Sequence, residues 1–403
     1  MSALHLVTTM CVAEVLGMIG MFTLAALLPD FIREWQLTNT QAGLLSAISL
    51  GGYTLSVPLL VSLTDRVDPR RLYLASTGLG VLSALGFSLV AQGFWTALIF
   101  RTLTGIALAG TYMPGLKALS DHIEESQQPR AIAFYTASFG IGTALSFFLA
   151  GHVNSWLNWH WAFATGAAGS AVAFLLVVGV LPARVPNRVI PSTALLDFRP
   201  VLKNHSSVAY ILCYAAHNWE LFGVRSWIVA LLAFTQEKHT QVVQLSPTLT
   251  ATIMTLLGVS ASIAGNELAM RVGRRRLIAT VMLISTVLCC LTGFVSTLSY
   301  TVLCFFCLFH GIVLAGESAS ITAGVLGTAT PGYRGATMAL HSTVGFGFAF
   351  LGPLVFGWVL DLTGGNTPMA WSLAFTSLGI VMLLGPIALI LLHPEALPAD
   401  RKK

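Results

Sequence analysis

Long apolar segments alternate with short polar ones along the whole chain. A hydrocarbon core of about 30 Å needs roughly 20 consecutive apolar residues per helix, so each long segment predicts one membrane-spanning helix. The pattern predicts an all-α integral membrane protein with 12 transmembrane helices. The predicted spans are 6–28, 43–63, 72–92, 94–116, 131–152, 161–182, 207–234, 247–270, 277–297, 299–327, 335–360 and 369–392.

The apolar pattern contains an internal repeat. Residues 104–110 return 206 positions later as 310–316, and residues 14–17 return at the same offset as 220–223. The repeat predicts two pseudo-symmetric six-helix bundles, residues 1–182 and 207–403, joined by a cytoplasmic linker at 183–206. Repeats of several membrane helices are typical of transporters that build a site between two halves.

Composition excludes a water-soluble fold. Charged residues make up 9% of the chain, against about 25% in an average soluble domain. Apolar residues make up 55%, and the mean hydropathy is +0.79. The six cysteines all lie in apolar segments, which indicates packing residues and not a disulfide framework. The first apolar run is too long for a signal-peptide core, so we expect it to remain in the protein.

The distribution of basic residues orients the chain. The net charge is +5, but 17 of the 21 Lys and Arg residues fall on the side that the termini share. The positive-inside rule then predicts a multi-pass protein of the inner (plasma) membrane with both termini in the cytoplasm. Topology explains the basic excess, so we expect the lipid bilayer as a partner and no nucleic acid.

The loop after the second span carries a recognisable motif. It reads Asp65-Arg66-Val67-Asp68-Pro69-Arg70-Arg71, preceded by Leu63. This loop resembles the signature Gly-x-Leu-Ala-Asp-Arg-x-Gly-Arg-Arg between helices 2 and 3 of the major facilitator superfamily. Val61 and Asp68 stand where that family usually has glycine. The second half has a counterpart at 272–276, in which Met270 occupies the position of the aspartate.

Further segments extend the resemblance over the whole chain. Arg101 with Gly105 is similar to the family's Arg-x-x-x-Gly pattern in helix 4, and residues 128–130 and 332–335 form a second matched pair. The resemblance implies that charged loop residues bridge the two halves on the cytoplasmic side. The alternative is that the arginines only anchor loops at lipid headgroups. The implied gate consists of Asp65, Arg66, Arg70, Arg71, Arg130 and Arg334.

Few ionisable residues lie deep in the predicted spans. They are Glu14 in span 1, Arg101 in span 4, Glu220 and Arg225 in span 7, and Glu317 in span 10. Such groups are costly in a bilayer and usually face a cavity or a partner. In the superfamily, spans 1, 4, 7 and 10 line the central cavity, so the resemblance implies a site there. The alternative is that each group satisfies a separate buried helix contact.

Span 7 is the richest of these. At about 100° per residue, Asn218 and Arg225 share one face, while His217 and Glu220 share another. We expect Asn218, Trp219 and Arg225 to contact the substrate, and Glu220 and His217 to form a protonatable pair. A kink near Gly223 would bring Glu220 closer to Arg225.

Span 10 adds His310 and Glu317, which share a face about 10 Å apart along the axis. The repeated positions in span 4 are Thr104 and Thr111, and this asymmetry suits a polar substrate held in one orientation. We therefore add both span 10 residues to the substrate site. The side chains of the series Cys304-x-x-Cys307-x-x-His310 point in progressively different directions around the helix, so no metal site is predicted.

These residues predict a proton-coupled symporter of a small organic, anionic solute, working by alternating access as a monomer without a cofactor. Glu14, Glu220 or Glu317 would bind the proton, and Arg101 or Arg225 the anion. The alternatives are a drug/proton antiporter, a nitrate carrier, a member of the cyanate-permease-like branch, and a non-transporting receptor or scaffold. An enzyme is not expected, because the sequence has no nucleotide-binding loop and no nucleophile–base pair on a polar domain.

Overall fold

The computed structural model describes residues 3–64, 66–124, 127–183, 197–238, 245–397 and 400. Within these ranges the chain is almost wholly α-helical. The helices are α1 (Ala3–Met18), α2 (Thr23–Ala26), α3 (Leu28–Glu34), α4 (Asn39–Leu63), α5 (Pro69–Val90), α6 (Phe94–Ser120), α7 (Gln128–Trp156), α8 (Trp159–Val180), α9 (Arg199–Lys203), α10 (His205–Lys238), α11 (Pro247–Val272), α12 (Arg274–Val295), α13 (Tyr300–Gly316), α14 (Ser318–Thr328), α15 (Arg334–Leu362), α16 (Pro368–Met382) and α17 (Leu384–Leu392).

The helices match the apolar segments of the sequence. Within the described residues, ten helices or helix pairs are long and apolar enough to cross a membrane. The first and seventh predicted spans correspond to the 16-residue apolar helix α1 and to the 34-residue helix α10. The all-α membrane fold is therefore confirmed, and the ten spans together with these two helices agree approximately with the predicted count of 12.

Polar residues in the short connections set where several helices begin. The side chains of Asp68, Asn158, Ser246, Ser299 and Thr367 each accept a hydrogen bond from a backbone N–H in the first turn of the next helix. Such caps satisfy backbone donors that have no partner inside the helix. These caps mark where the five helices begin, within three residues of the start of each predicted apolar run.

The chain divides into two compact units. The first contains residues Met1–Gln36 and Ile48–Ile190, and the second contains Leu37–Ala47 and Pro191–Lys403. The first unit holds α1 to α3, most of α4, and α5 to α8, whereas the second holds the start of α4 and α9 to α17. The predicted linker at 183–206 lies mostly outside the described residues.

The first predicted span is broken, which corrects the expectation of one continuous helix over 6–28. Helix α1 ends at Met18, and helical structure resumes only at Thr23. A break frees backbone groups, and in a bilayer these need partners within the protein. The hydroxyl of Ser146 in α7 is the partner of two such backbone groups. Its Oγ donates to Ile19 O at 2.6 Å and accepts from Phe22 N at 3.0 Å.

Span 10 is also interrupted, again in contrast to the continuous helix expected over 299–327. Helix α13 ends at Gly316, Glu317 lies at the junction, and α14 starts at Ser318. Helix α10 instead runs without interruption through Gly223, where a kink had been considered. Its neighbours include α15, α17 and α14.

Candidate functional site

Helices α10, α12 and α13 bring together a buried carboxylate and an imidazole in the second unit. Glu220 Oε1 lies 3.0 Å from His310 Nε2, and both side chains are fully buried. Ser285 Oγ of α12 donates to the two oxygens of the same carboxylate, at 3.0 and 2.9 Å. Thr292 Oγ1 lies 3.3 Å from the other imidazole nitrogen. Glu220 is thus held by hydroxyl and imidazole groups from two neighbouring helices.

A second pair of the same kind lies at the interruption of span 10. His217 Nδ1 of α10 is 2.9 Å from Glu317 Oε1, and neither side chain has any exposed surface. Glu317 Oε2 and His217 Nε2 have no hydrogen-bond partner among the described residues. This pair therefore keeps one acceptor and one ring nitrogen available for a proton or a ligand.

The pairing corrects the interpretation of span 7. His217 and Glu220 were expected to pair with each other, but each is bonded to a residue of span 10. That prediction was wrong because helical phase indicates which residues share a face and says nothing of what a neighbouring helix presents. His310 and Glu317 likewise have separate partners. The four residues form two cross-helix pairs.

One group in the described part of the chain could hold a metal ion. The ligand atoms of Glu220, Cys289 and His310 lie within 4.8 Å of one another, and all three residues are buried. This set differs from the cysteine and histidine series noted in the sequence. A carboxylate, a thiolate and an imidazole are suitable ligands for zinc. The same Glu220 and His310 atoms, however, already take part in hydrogen bonds.

Arg101 is buried in the first unit, where it supports the break in span 1. Its Nη2 donates to Met21 O at 2.9 Å and to Ser49 Oγ at 3.0 Å. Met21 belongs to the break, so the guanidinium satisfies a carbonyl that a continuous helix would have used. Nε and Nη1 have no hydrogen-bond partner among the described residues. Part of the guanidinium fork thus remains open to an anion.

Glu14 lies on α1 in the same unit. Tyr135 Oη of α7 donates to its Oε2 at 3.0 Å, whereas Oε1 has no hydrogen-bond partner within the described residues. The side chain is 2% exposed and lines a cavity of about 50 Å³ inside the unit. A buried carboxylate with one free oxygen can accept a proton or bind a cation.

The remaining span 7 residues lie along α10. Asn218 Nδ2 and Trp219 Nε1 are buried without a hydrogen-bond partner in the described residues. The Arg225 guanidinium lies 5.7 Å from the ring centroid of Phe222. The common role of these three residues in substrate binding stays a prediction.

Residues that the sequence interpretation missed surround these groups. His341 of α15 stacks on Tyr214 with ring centroids 3.8 Å apart, and its Nδ1 has no partner among the described residues. A histidine inside an apolar span was the signal available for His341. Ser285 and Tyr135, which bond to the glutamates, gave no such signal because hydroxyl residues are common in membrane helices.

The described residues of the predicted gate lie at or beside helix ends. Asp65 is outside the described residues, and Arg66, Arg71, Arg130 and Arg334 are exposed. Arg70 is half-buried and donates to Val178 O at 2.9 Å, a contact within the first unit. Their role as a gate stays a prediction.

The loop that opens α12 has a structural feature of its own. Arg274 is 4% exposed and donates to the carboxylate of Asp400 at 3.2 Å, to Asn266 Oδ1 at 3.0 Å and to Ser320 O at 2.9 Å. The second half has Met270 where the signature has aspartate. In this unit the carboxylate bound to the loop arginine comes from the C-terminal segment.

Comparison with known proteins identifies the family. The family model "Major Facilitator Superfamily" matches residues 10–237 and 221–403. The chain belongs to this superfamily. It is therefore a multi-pass membrane transporter and not an enzyme.

Curated relatives of this superfamily protein include sphingolipid carriers. The chain is 24% identical over 403 residues to the sphingosine-1-phosphate transporter SPNS2 of Xenopus tropicalis, covering 94% of this chain and 78% of the relative. It is 24% identical over 240 residues to protein spinster homolog 1 of Homo sapiens, covering 56% and 45%. The match thus spans less than half of the second relative.

Solved structures agree on the fold. A bacterial homolog to the human lysosomal transporter Spinster, in an inward-facing and unoccupied conformation, has a TM-score of 0.74 at 16% identity and covers 99% of this chain and 97% of that one. The nucleoside transporter NupG has a TM-score of 0.73 at 16% identity, covering 96% and 99%. At this identity the likeness shows the fold alone.

Proposed function

We propose that this transporter is a proton-coupled symporter of a small organic anion, located in the plasma membrane with both termini in the cytoplasm. The observation that carries the proposal is the presence of two buried Glu–His pairs, Glu220 with His310 and His217 with Glu317. A carboxylate and an imidazole in contact can share one proton or hold two. In an apolar interior the protonation state of such a pair is coupled to the arrival of water or of another charge.

An anionic solute fits the cationic groups of the spans. Arg101 keeps two guanidinium nitrogens without a hydrogen-bond partner among the described residues, and Arg225 is a second arginine within a span. Arginine binds carboxylate and phosphate through paired hydrogen bonds. One curated relative is named a sphingosine-1-phosphate transporter, and that name denotes a solute with a phosphate group. That relative supports an organic phosphate or carboxylate as the class to screen first.

The test is transport by the purified protein in liposomes with an imposed pH gradient. We expect the wild type to accumulate an organic anion, identified by a thermal-shift screen against organic anions and lipophilic cations. Glu220→Gln should lose most of the gradient-driven accumulation but retain solute counterflow, because exchange needs no net proton movement.

The control is Glu267→Gln, which removes an exposed carboxylate of the same unit. It should transport like the wild type. Undiminished accumulation by Glu220→Gln would show that this residue does not couple proton and solute. Stabilisation by lipophilic cations alone would favour the drug/proton antiporter instead.

A further inference from the structure

The cavity beside Glu14 belongs entirely to the first unit. Its volume is about 50 Å³, and one water position needs about 10–15 Å³, so it has room for an ion and a few waters. None of the lining residues is Lys, Arg or His. An ionised Glu14 therefore has no cationic side chain in the wall to balance its charge. The hydroxyl residues of the wall are Tyr73, Ser76, Thr77, Thr104, Thr111 and Ser170.

The free oxygen of Glu14 is the first sign of a missing ligand. Its Oε2 accepts a hydrogen bond from Tyr135, while Oε1 is buried and has no hydrogen-bond partner among the described residues. Leaving a charged oxygen buried and unpaired is expensive. A bound cation would remove that cost.

Two threonine hydroxyls of the cavity wall already use their hydrogens elsewhere. Thr77 Oγ1 donates its single hydrogen to Tyr73 O at 2.7 Å, and Thr111 Oγ1 donates its own to Leu108 O at 3.2 Å. A hydroxyl whose hydrogen is already used offers only lone pairs. The wall therefore presents oxygen acceptors, which suit a cation better than an anion.

The break in span 1 adds a third contribution. Helix α1 ends at Met18, and Gly17, Met18, Gly20 and Met21 line the cavity. The C-terminal end of a helix carries partial negative charge. In transporters with discontinuous helices, such ends and the unwound carbonyls beside them coordinate sodium. Met21 O is already bonded to Arg101, so the partial negative charge at the cavity comes from the end of α1 at Gly17 and Met18.

We propose that this cavity binds one sodium-sized monovalent cation, with Glu14 Oε1 as the anionic ligand and the hydroxyl oxygens of Thr77 and Thr111 as neutral ligands. The site goes beyond the proposed proton and anion chemistry. It lies in the first unit, whereas the Glu–His pairs lie in the second. It gives Glu14, a proton acceptor in the sequence interpretation, a role as an ion ligand.

The test measures binding, not transport. The full-length protein in detergent is unfolded by heat while NaCl replaces choline chloride at constant ionic strength and pH. The unfolding midpoint of the wild type should rise with sodium along a saturable curve, because ligands that bind only the folded state stabilise it. Choline serves as the reference cation because methyl groups cover its charged nitrogen, so oxygen ligands cannot coordinate it as they coordinate a bare ion.

Three variants sharpen the test. Glu14→Gln should abolish the saturable response. Thr111→Val should raise the half-saturating sodium concentration by about tenfold, the effect of losing one ordinary polar contact. Glu124→Gln, which neutralises an exposed carboxylate of the same unit, should respond like the wild type. If Glu14→Gln does not fold, Thr111→Val still decides the question.

Several results would overturn the assignment. Equal midpoints in sodium and choline for the wild type would mean that no such site exists. An unchanged sodium curve for Glu14→Gln or Thr111→Val would place the ion elsewhere. A response to methylammonium without one to sodium would indicate a pocket for an organic ammonium group. Absence of proton-driven anion uptake would refute the proposed function and leave this binding curve unaffected.

Discussion

Each buried glutamate of the second unit is bonded to a histidine on another helix. Glu220 reaches His310 at 3.0 Å, and Glu317 reaches His217 at 2.9 Å. Burying such groups costs free energy, and the contact offsets this cost only while both partners are present. Removing one partner therefore typically lowers the unfolding free energy by about 3–5 kcal/mol. The pairs therefore tie α10 to the interrupted span 10 and connect the protonation of these groups to helix packing.

We predict that the crossed pairing will appear in double-mutant cycles. Glu220→Gln combined with His310→Asn, and His217→Asn combined with Glu317→Gln, should show interaction energies of about 1–3 kcal/mol, since residues in direct contact couple by that order. The measurement is the unfolding free energy, or the thermal midpoint, of single and double variants in detergent.

The same-helix combinations provide the matched control. Glu220→Gln with His217→Asn, and His310→Asn with Glu317→Gln, should couple much more weakly because these residues are bonded to other partners. Strong coupling in the same-helix cycles and none in the crossed ones would restore the pairing expected from helical phase.

At the scale of elements, the broken first span is held by side chains from distant helices. Ser146 bonds to Ile19 O and Phe22 N, and Arg101 bonds to Met21 O. Each of these atoms belongs to the stretch where α1 has ended and α2 has not begun. Arg101 thus has a structural task in addition to any role in substrate binding, and replacing it should also weaken the break.

The repeated glycines should differ in how they tolerate alanine. A Cβ on Gly105 would overlap the backbone carbonyl of Ser49 in α4. On Gly311 it would overlap Cγ of the Met254 side chain, and Met254 O would be 3.2 Å away. Backbone cannot retreat as a methionine side chain can. We predict that Gly105→Ala lowers the unfolding free energy by about 3 kcal/mol, and that Gly311→Ala costs about 1 kcal/mol or less.

The control for this comparison is Gly316→Ala, since the nearest atom to its Cβ would be Val281 Cγ1 at an ordinary 3.6 Å. It should be close to neutral in the same detergent unfolding assay. An equal loss of unfolding free energy for Gly105→Ala and Gly311→Ala would mean that the two copies of the repeat pack alike, which would contradict this prediction.

The sequence patterns predict some features of the fold and the site and not others. Apolar length fixed the spans well, because the bilayer demands it of every helix. It missed the breaks at Ile19–Phe22 and at Glu317, since an unwound stretch remains apolar when Ser146 or Arg101 satisfies its backbone. The buried charges were found by their cost in lipid. The partners of these charged residues could not be predicted, because the periodicity of one helix does not show how neighbouring helices are aligned against it.

For the whole molecule, the two units have diverged in chemistry while keeping a common repeat. Thr104 and Thr111 of the first unit line the Glu14 cavity, and their counterparts His310 and Glu317 of the second unit bond to Glu220 and His217. Duplicated helices therefore carry an oxygen-lined cavity in one unit and imidazole–carboxylate pairs in the other. Separate ion sites in two units would allow each to respond to a different cation.

The orientation of the whole chain gives the last prediction. With 17 of 21 basic residues on the side predicted to carry the termini, the positive-inside rule predicts that this side faces the cytoplasm. A fluorescent protein fused after Lys403 should be bright in a bacterial host, and alkaline phosphatase at the same position should be inactive, because each folds on only one side of the membrane. Phosphatase inserted after Lys238, which is predicted to lie on the opposite side, should be active. The reverse result at both positions would invert the topology and assign the loop arginines Arg66 and Arg71 to the outer face, where the charge rule could not account for them.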